Sequence, residues 1–257
     1  MGMILLGPAG NVEGDILTSL KKIKVLNLDA QEIEFVHSVM MGNELAKKAG
    51  ALAKELNIRL SVHAPYYINL LSEDKNILDA SKERILKSCE RAHYLGAKYV
   101  IFHTGFYGKL TEEVAYSRVK IQISELMNEI KKNNWNVHLC PETMGKKSQF
   151  GSLDELIKLV KETGCKLCVD FAHLLARDQK IDYKEVFEKL KVLKLKELTC
   201  HFSGIEFTAK GERRHLLLDK KHTKELLSEA KKQSYDMIII CEAPNTWEGS
   251  LEMKKEI

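Results

Sequence analysis

The chain has 257 residues, 44% hydrophobic and 30% charged, with only four prolines and fifteen glycines. That composition supports a large packed core and argues against long disordered stretches. The 40 basic and 36 acidic residues leave a formal charge of +4, too little to mark a nucleic-acid binder by charge alone, yet compatible with a local basic face.

Short apolar runs alternate with longer amphipathic segments. In chain order the runs are Ile4–Leu6, Glu32–Phe35, Ile58–His63, Tyr99–His103, Asn136–Glu142, Leu167–Asp170, Glu197–His201 and Met237–Glu242. They are brief and rich in Ile, Val, Leu and Cys, as parallel strands buried on both faces should be. Between them, Glu44–Leu56, Asp79–Leu95, Val114–Lys131 and Leu153–Glu162 carry helical spacing, the last opening on a capping-box pattern at Ser152. Eight strand–helix alternations in 257 residues give about 32 residues per unit, the size of a βα unit in a (β/α)8 barrel. The expectation is one TIM barrel domain over residues 1–257, with a doubly wound open sheet as the structural alternative. The start of the chain lacks a basic, apolar signal segment, and no window approaches the ~20 apolar residues of a membrane span. A soluble cytoplasmic protein is expected.

Cysteines stand at 89, 140, 165, 168, 200 and 241, and Cys140, Cys168, Cys200 and Cys241 lie in the apolar runs. Buried reduced thiols are the expected reading, and Cys165–Cys168 is a lone pair without the second pair of a zinc site.

In such a barrel the C-terminal strand ends carry the chemistry. Strands three to eight end in His63, His103, Glu142, Asp170, His201 and Glu242. Singly, each has an ordinary structural explanation. Together they bring three imidazoles and three carboxylates to one rim, where uncompensated acids repel and a cation relieves them. Imidazole with carboxylate suits Zn²⁺, Mn²⁺ or Fe²⁺ better than Mg²⁺ or Ca²⁺. Six ligands exceed the need of one tetrahedral ion, so a two-ion site with a bridging carboxylate, suited to phosphoester hydrolysis, is indicated. His173 in VDFAH and His215 in GERRH are further candidates. His37 is expected beside the rim, His138 inside the barrel as packing, and His93 and His222 on helices.

The segments SVHAPYYINL (61–70), FHTG (102–105), PETMGKKSQFGS (141–152), VDFAH (169–173), HFSG (201–204), RRH (213–215) and CEAP (241–244) together resemble the endonuclease IV family of apurinic/apyrimidinic endonucleases, in its order and over nearly the whole chain. The resemblance implies three metal ions, generally zinc. His63 and His103 would bind one; Glu142 would bridge it to a second, completed by Asp170, His201 and Glu242; His173 and His215 would bind a third. Catalytic roles fall on Glu142 and Glu242. The implied reaction cuts the phosphodiester 5′ of an abasic site in duplex DNA through a metal-activated hydroxide, leaving a 3′-hydroxyl. Tyr66 would be the wedge beside the extruded nucleotide. Lys146, Lys147, Lys210, Arg213 and Arg214 would meet phosphates. A monomer is expected, with no protein partner implied.

Two departures stand out. The family's Asp-Arg-His triplet reads Arg213-Arg214-His215 here, with Glu212 one residue earlier as the alternative carboxylate and Arg213 as a phosphate contact. The first strand carries GPAG at 7–10 where the family has His-x-Ser. A single-metal sugar isomerase or epimerase of the same superfamily would use only Glu142, Asp170, His201 and Glu242. A non-catalytic DNA-binding barrel is the third reading.

Overall fold

A computed structural model describes residues 2–257. Ten strands form: β1 (Ile4–Pro8), β2 (Ala30–Glu34), β3 (Arg59–His63), β4 (Tyr99–Phe102), β5 (His138–Pro141), β6 (Cys168–Asp170), β7 (Glu197–Phe202), β8 (Gly204–Thr208), β9 (Gly211–Leu216) and β10 (Asp236–Cys241). Two parallel ladders, β1-β10-β7-β6 and β2-β3-β4-β5, meet at the parallel bridges Ala9–Glu32 and Glu142–Cys168. The sheet therefore closes into a (β/α)8 barrel, and the open doubly wound alternative falls. The helices are α1 (Ile16–Val25), α2 (Asn43–Leu56), α3 (Lys75–Leu95), α4 (Glu112–Lys132), α5 (Leu153–Thr163), α6 (Phe171–Asp178), α7 (Tyr183–Leu190), α8 (Lys220–Ala230) and α9 (Thr246–Lys254). Among the described residues no helix is long and apolar enough to cross a membrane.

The helix ends follow their capping residues. In α5, Ser152 Oγ accepts from the Glu155 amide while the Glu155 carboxylate takes the Ser152 amide, the reciprocal bonding that the sequence pattern predicts. Helix α3 begins four residues before the expected Asp79. Asp74 accepts from the Asn76 amide at 2.8 Å and starts the helix there.

Period-two alternation divides the strands into two sets. One set, including Leu6, Ile33, Val62, Val100, Leu139, Val169 and Ile239, packs outward against the helices. The other, Ala30, Tyr99, Ile101, Cys140, Cys168, Ile238 and Ile240, fills the barrel interior. All six cysteines are free and buried, and burial pushes the Cys140 and Cys168 thiols well above their ordinary range. His138 has the inward phase, but it stands at the open N-terminal mouth, exposed against the Tyr99 ring. It is not core packing, as the sequence suggested, because it is the first residue of its strand and its side chain opens to solvent there.

Gly7 is not part of a turn. It lies within β1, and a Cβ there would come 1.9 Å from the Ala30 carbonyl oxygen. Glycine permits β1 to approach β2 and close the barrel.

Candidate metal centre

Each strand-end residue named by the sequence has the inward phase. Two positions earlier stand Ser61, Ile101, Cys140, Cys168, Thr199 and Ile240, all buried. Alternation therefore delivers His63, His103, Glu142, Asp170, His201 and Glu242 to one rim. Three sets of donor atoms each fall within 4.8 Å of one another: His63 with His103 and Glu142; Glu142 with Asp170, His201 and Glu242; and Asp170 with His173 and His215. Glu142 and Asp170 are each shared by two sets.

Glu142 is the hub. Its carboxylate lies 3.3 Å from His63 Nε2, 3.1 Å from His103 Nε2, 3.4 Å from His173 Nδ1 and 3.0 Å from His201 Nδ1. Burial would push the Glu142 carboxyl up. The charge on His201 and the bonds from His103, His173 and His201 outweigh burial and hold it well below the usual range. Glu242 goes the other way. Burial drives it up and His201 pulls it back, but Glu142, Asp170 and Glu34 leave it well above its ordinary value. Burial alone would lower His63, yet Glu34, Glu142 and Glu32 raise it to about 10. Asp170 and other neighbouring acids likewise raise His173 well above its usual value despite burial. Protons on imidazoles thus balance the acids here, at positions where a cation could replace them. Asp170 Oδ2 is fully buried with no hydrogen-bond partner. An orphaned carboxylate oxygen facing imidazole donors fits a metal ion.

Helix α6 starts at this rim. Asp170 Oδ1 caps it by accepting from the His173 amide at 2.7 Å. One turn of helix then places His173, whose Nδ1 lies 2.9 Å from the Thr143 carbonyl and whose Nε2 lies 3.4 Å from His215 Nε2.

The segment after β7 that carries GERRH is a hairpin, β8–β9. Its register pairs Ile205 with His215, Glu206 with Arg214 and Phe207 with Glu212, leaving Arg213 as an extra residue. This bulge decides which side chains of the hairpin face the rim. Glu212 and His215 are three apart and would ordinarily face opposite ways; the extra residue puts both on the face carrying Ile205 and Phe207. Glu212 Oε2 lies 3.4 Å from His173 Nε2. Arg213 and Arg214 turn to solvent and pair with Glu206 at 3.0 and 2.6 Å. The hairpin docks on the loop after β5 through Gly145 and Gly211, where a Cβ on Gly211 would meet the Gly145 carbonyl oxygen at 2.2 Å.

A cavity of about 470 Å³ opens over the centre, bounded by His63, His103, His173, His215, Glu212 and Glu242, with Tyr66 and Glu34 at its edge. Tyr66 is 47% exposed, and its ring stands 5.3 Å from that of His63 and 5.7 Å from that of His103. Lys147, Lys210, Arg213 and Arg214 are exposed, and Lys146 is half-buried beside them through its bridge to Gly211. His37 is exposed and stacks on Tyr67, outside the three donor sets.

Sequence reasoning passed over two carboxylates. Glu32 and Glu34 of β2 also have the inward phase, and with Glu242 they form a further cluster of donors. Burial raises Glu34 to about 7 against the pull of His63. The signal was present: two acids at alternate positions in a strand buried on both faces.

A family model described as a xylose isomerase-like TIM barrel matches residues 20–257. The uncharacterized protein MJ0133 of Methanocaldococcus jannaschii is 35% identical over 94% of this chain and 92% of its own. A probable endonuclease 4 of Ureaplasma urealyticum is 31% identical over 56% of this chain and 49% of its own, so the match spans about half the length of that relative. Among solved structures, endonuclease IV of Thermus thermophilus superimposes with a TM-score of 0.74 at 19% identity, covering 98% of each chain. A D-tagatose 3-epimerase-like protein gives the same TM-score at 20% identity, covering 98% of this chain and 94% of that one. Both likenesses concern the fold.

Proposed function

The chain belongs to the xylose isomerase-like TIM barrel family, and within it we propose that it is a metal-dependent DNA-repair endonuclease, cutting the phosphodiester 5′ of abasic sites in duplex DNA and leaving a 3′-hydroxyl. The observation that carries this reading is the set of three overlapping donor groups linked through Glu142 and Asp170. A single-ion enzyme needs only one of them.

His63, His103 and Glu142 would hold one ion. Glu142, Asp170, His201 and Glu242 would hold a second. His173 and His215, with Glu212 beside them, would hold a third. Zn²⁺ suits this donor chemistry, with Mn²⁺ or Fe²⁺ as alternatives. When bound, the ions would supply an activated water and neutralise charge on the phosphate and the departing oxygen.

The protein's own groups bind and orient. Glu142, held well below the usual carboxylate range, stays ionised and spans the first two sets. Glu242 closes the second set and borders the cavity, where it would lie beside an entering phosphate. Tyr66 presents an aromatic face beside the centre and would occupy the gap left by an extruded nucleotide. Lys146, Lys147 and Lys210 lie on the two docked loops and would meet backbone phosphates. Arg213 and Arg214 would do so only by leaving Glu206. Damaged duplex DNA is the partner on this reading, and the single barrel of residues 1–257 acts as a monomer in the cytoplasm.

The test is nicking of a duplex oligonucleotide carrying one abasic-site analogue, with metal-loaded, chelated and Glu142→Gln protein compared. The expected result is metal-dependent cutting on the 5′ side, absent from the chelated and substituted samples. No cutting by protein that holds its metals would sink the reading.

A second reading is a single-metal sugar isomerase or epimerase. The set Glu142, Asp170, His201 and Glu242 suffices for one ion, and the cavity above it carries the Glu34 and Glu242 carboxylates, which could move protons on a small polyol. On that reading His63, His103 and His215 are dispensable as ligands.

A further inference from the structure

We propose that Glu32 is a positioning residue of the metal centre, holding the His201 ring from inside the barrel so that Nδ1 faces the metal ligands. The inference rests on the metal-holding part of the reading above and not on the identity of the substrate.

The two ring nitrogens of His201 face different partners. Nδ1 lies 3.0 Å from Glu142 Oε1 and 3.2 Å from Glu242 Oε1. Nε2 lies 2.9 Å from Glu32 Oε1. The N–H direction is off-line, so the contact is an ion pair rather than a straight hydrogen bond, and neither atom has any other partner. The second oxygen of Glu32 accepts from Ser61 Oγ at 2.6 Å. Ser61 is the register partner of Glu32 on the neighbouring strand, so the carboxylate is anchored by its own ladder.

A neutral imidazole has one N–H and one lone pair. When Nδ1 gives its lone pair to a metal, the one proton of the neutral ring stays on Nε2, where the Glu32 carboxylate 2.9 Å away favours it by charge, and Nδ1 faces the point where Glu142 and Glu242 converge. The negative charge behind the ring also raises its basicity as a ligand, an effect that metal sites obtain from an acid or carbonyl on the far nitrogen.

Packing gives no separate reason for an acid at this position. Glu32, Ser61 and His201 are each at most 1% exposed, and the interior layer beside them consists of Ala30, Ile101, Cys140, Cys168 and Ile240. An ionised carboxylate there is costly unless its partner needs it, and an apolar side chain would fill the space without that cost.

The test is Glu32→Gln, which keeps the shape and removes the charge. Zn²⁺ affinity is measured by competition with a chromophoric chelator, alongside the visible spectrum of the Co²⁺-loaded protein and the Tm of the metal-free protein. The expected result is about 10–100-fold weaker binding of one ion, with the remaining ions retained and a changed Co²⁺ spectrum. If zinc affinity and the Co²⁺ spectrum match the parental protein, the inference is overturned, even if Tm falls. Ser61→Ala covers the case in which Glu32→Gln does not fold. It frees Glu32 without removing it and is expected to weaken the same ion by a smaller factor; unchanged affinity overturns the inference. A parental protein that binds no metal defeats the metal reading itself, which separates that failure from this one.

Discussion

Removing metal should reverse the pH dependence of stability. In the metal-free protein His63 is almost fully buried, with Nε2 3.3 Å from Glu142, and titrates at about 10 rather than 6.5. A histidine raised on folding stabilises fully below its unfolded value, and that contribution is lost as pH rises through the folded value. Chelated protein should therefore be most stable near pH 6.5 and weaken steadily toward pH 10. At about 1.4 kcal/mol per pH unit, the loss from His63 alone is at most about 5 kcal/mol. His173 and His201 are raised as well and act in the same direction. For a chain of this size, that corresponds to a Tm lower by about 10 °C or more. With zinc bound the slope should invert between pH 6 and 8, because protons compete with metal for the same imidazoles. Thermal unfolding followed by circular dichroism, with and without chelator, reads both slopes. A chelated protein whose Tm is flat or rising between pH 6.5 and 9.5 would refute the claim that protonated histidines balance the buried acids.

Three substitutions probe separate parts of the account. Gly7→Ala should destabilise by about 1–3 kcal/mol or more in urea unfolding, since the new Cβ would overlap the Ala30 carbonyl; an unchanged midpoint would mean that β1 can retreat from β2. Glu212→Ala should cost one metal ion per chain by elemental analysis, whereas Arg213→Ala should cost none; the opposite pattern would show that Glu212 does not help to hold the third ion. Tyr66→Ala should weaken binding of abasic duplex by about 1–3 kcal/mol in fluorescence anisotropy and leave metal content unchanged; equal Kd values would exclude a stacking role.

The barrel and its rim were legible in the sequence because both depend on a short period. Each strand is a brief apolar run, and each of strands three to eight ends on a His or an acid, so counting in twos from His63, His103 or Glu142 recovers the inward face. Features that need pairing information were not legible. The β8–β9 hairpin was hidden inside polar residues, and the bulge at Arg213 that turns Glu212 inward depends on which residue faces Glu206. Glu32 and Glu34 were overlooked because an acid inside a strand reads as solvent-facing until the strand is known to be buried on both sides. His138 misled for the opposite reason: its phase is inward, but its height along the barrel places it at the open mouth.

The most direct measurement is the metal content of the purified, folded chain by mass spectrometry of its elements. The account predicts two or three zinc-class ions per chain, falling when Glu142 is replaced by Gln, the ligand shared between the first two sets. A folded protein that retains one ion or none after exposure to Zn²⁺, Mn²⁺ and Fe²⁺ would contradict the multinuclear centre on which the endonuclease reading stands.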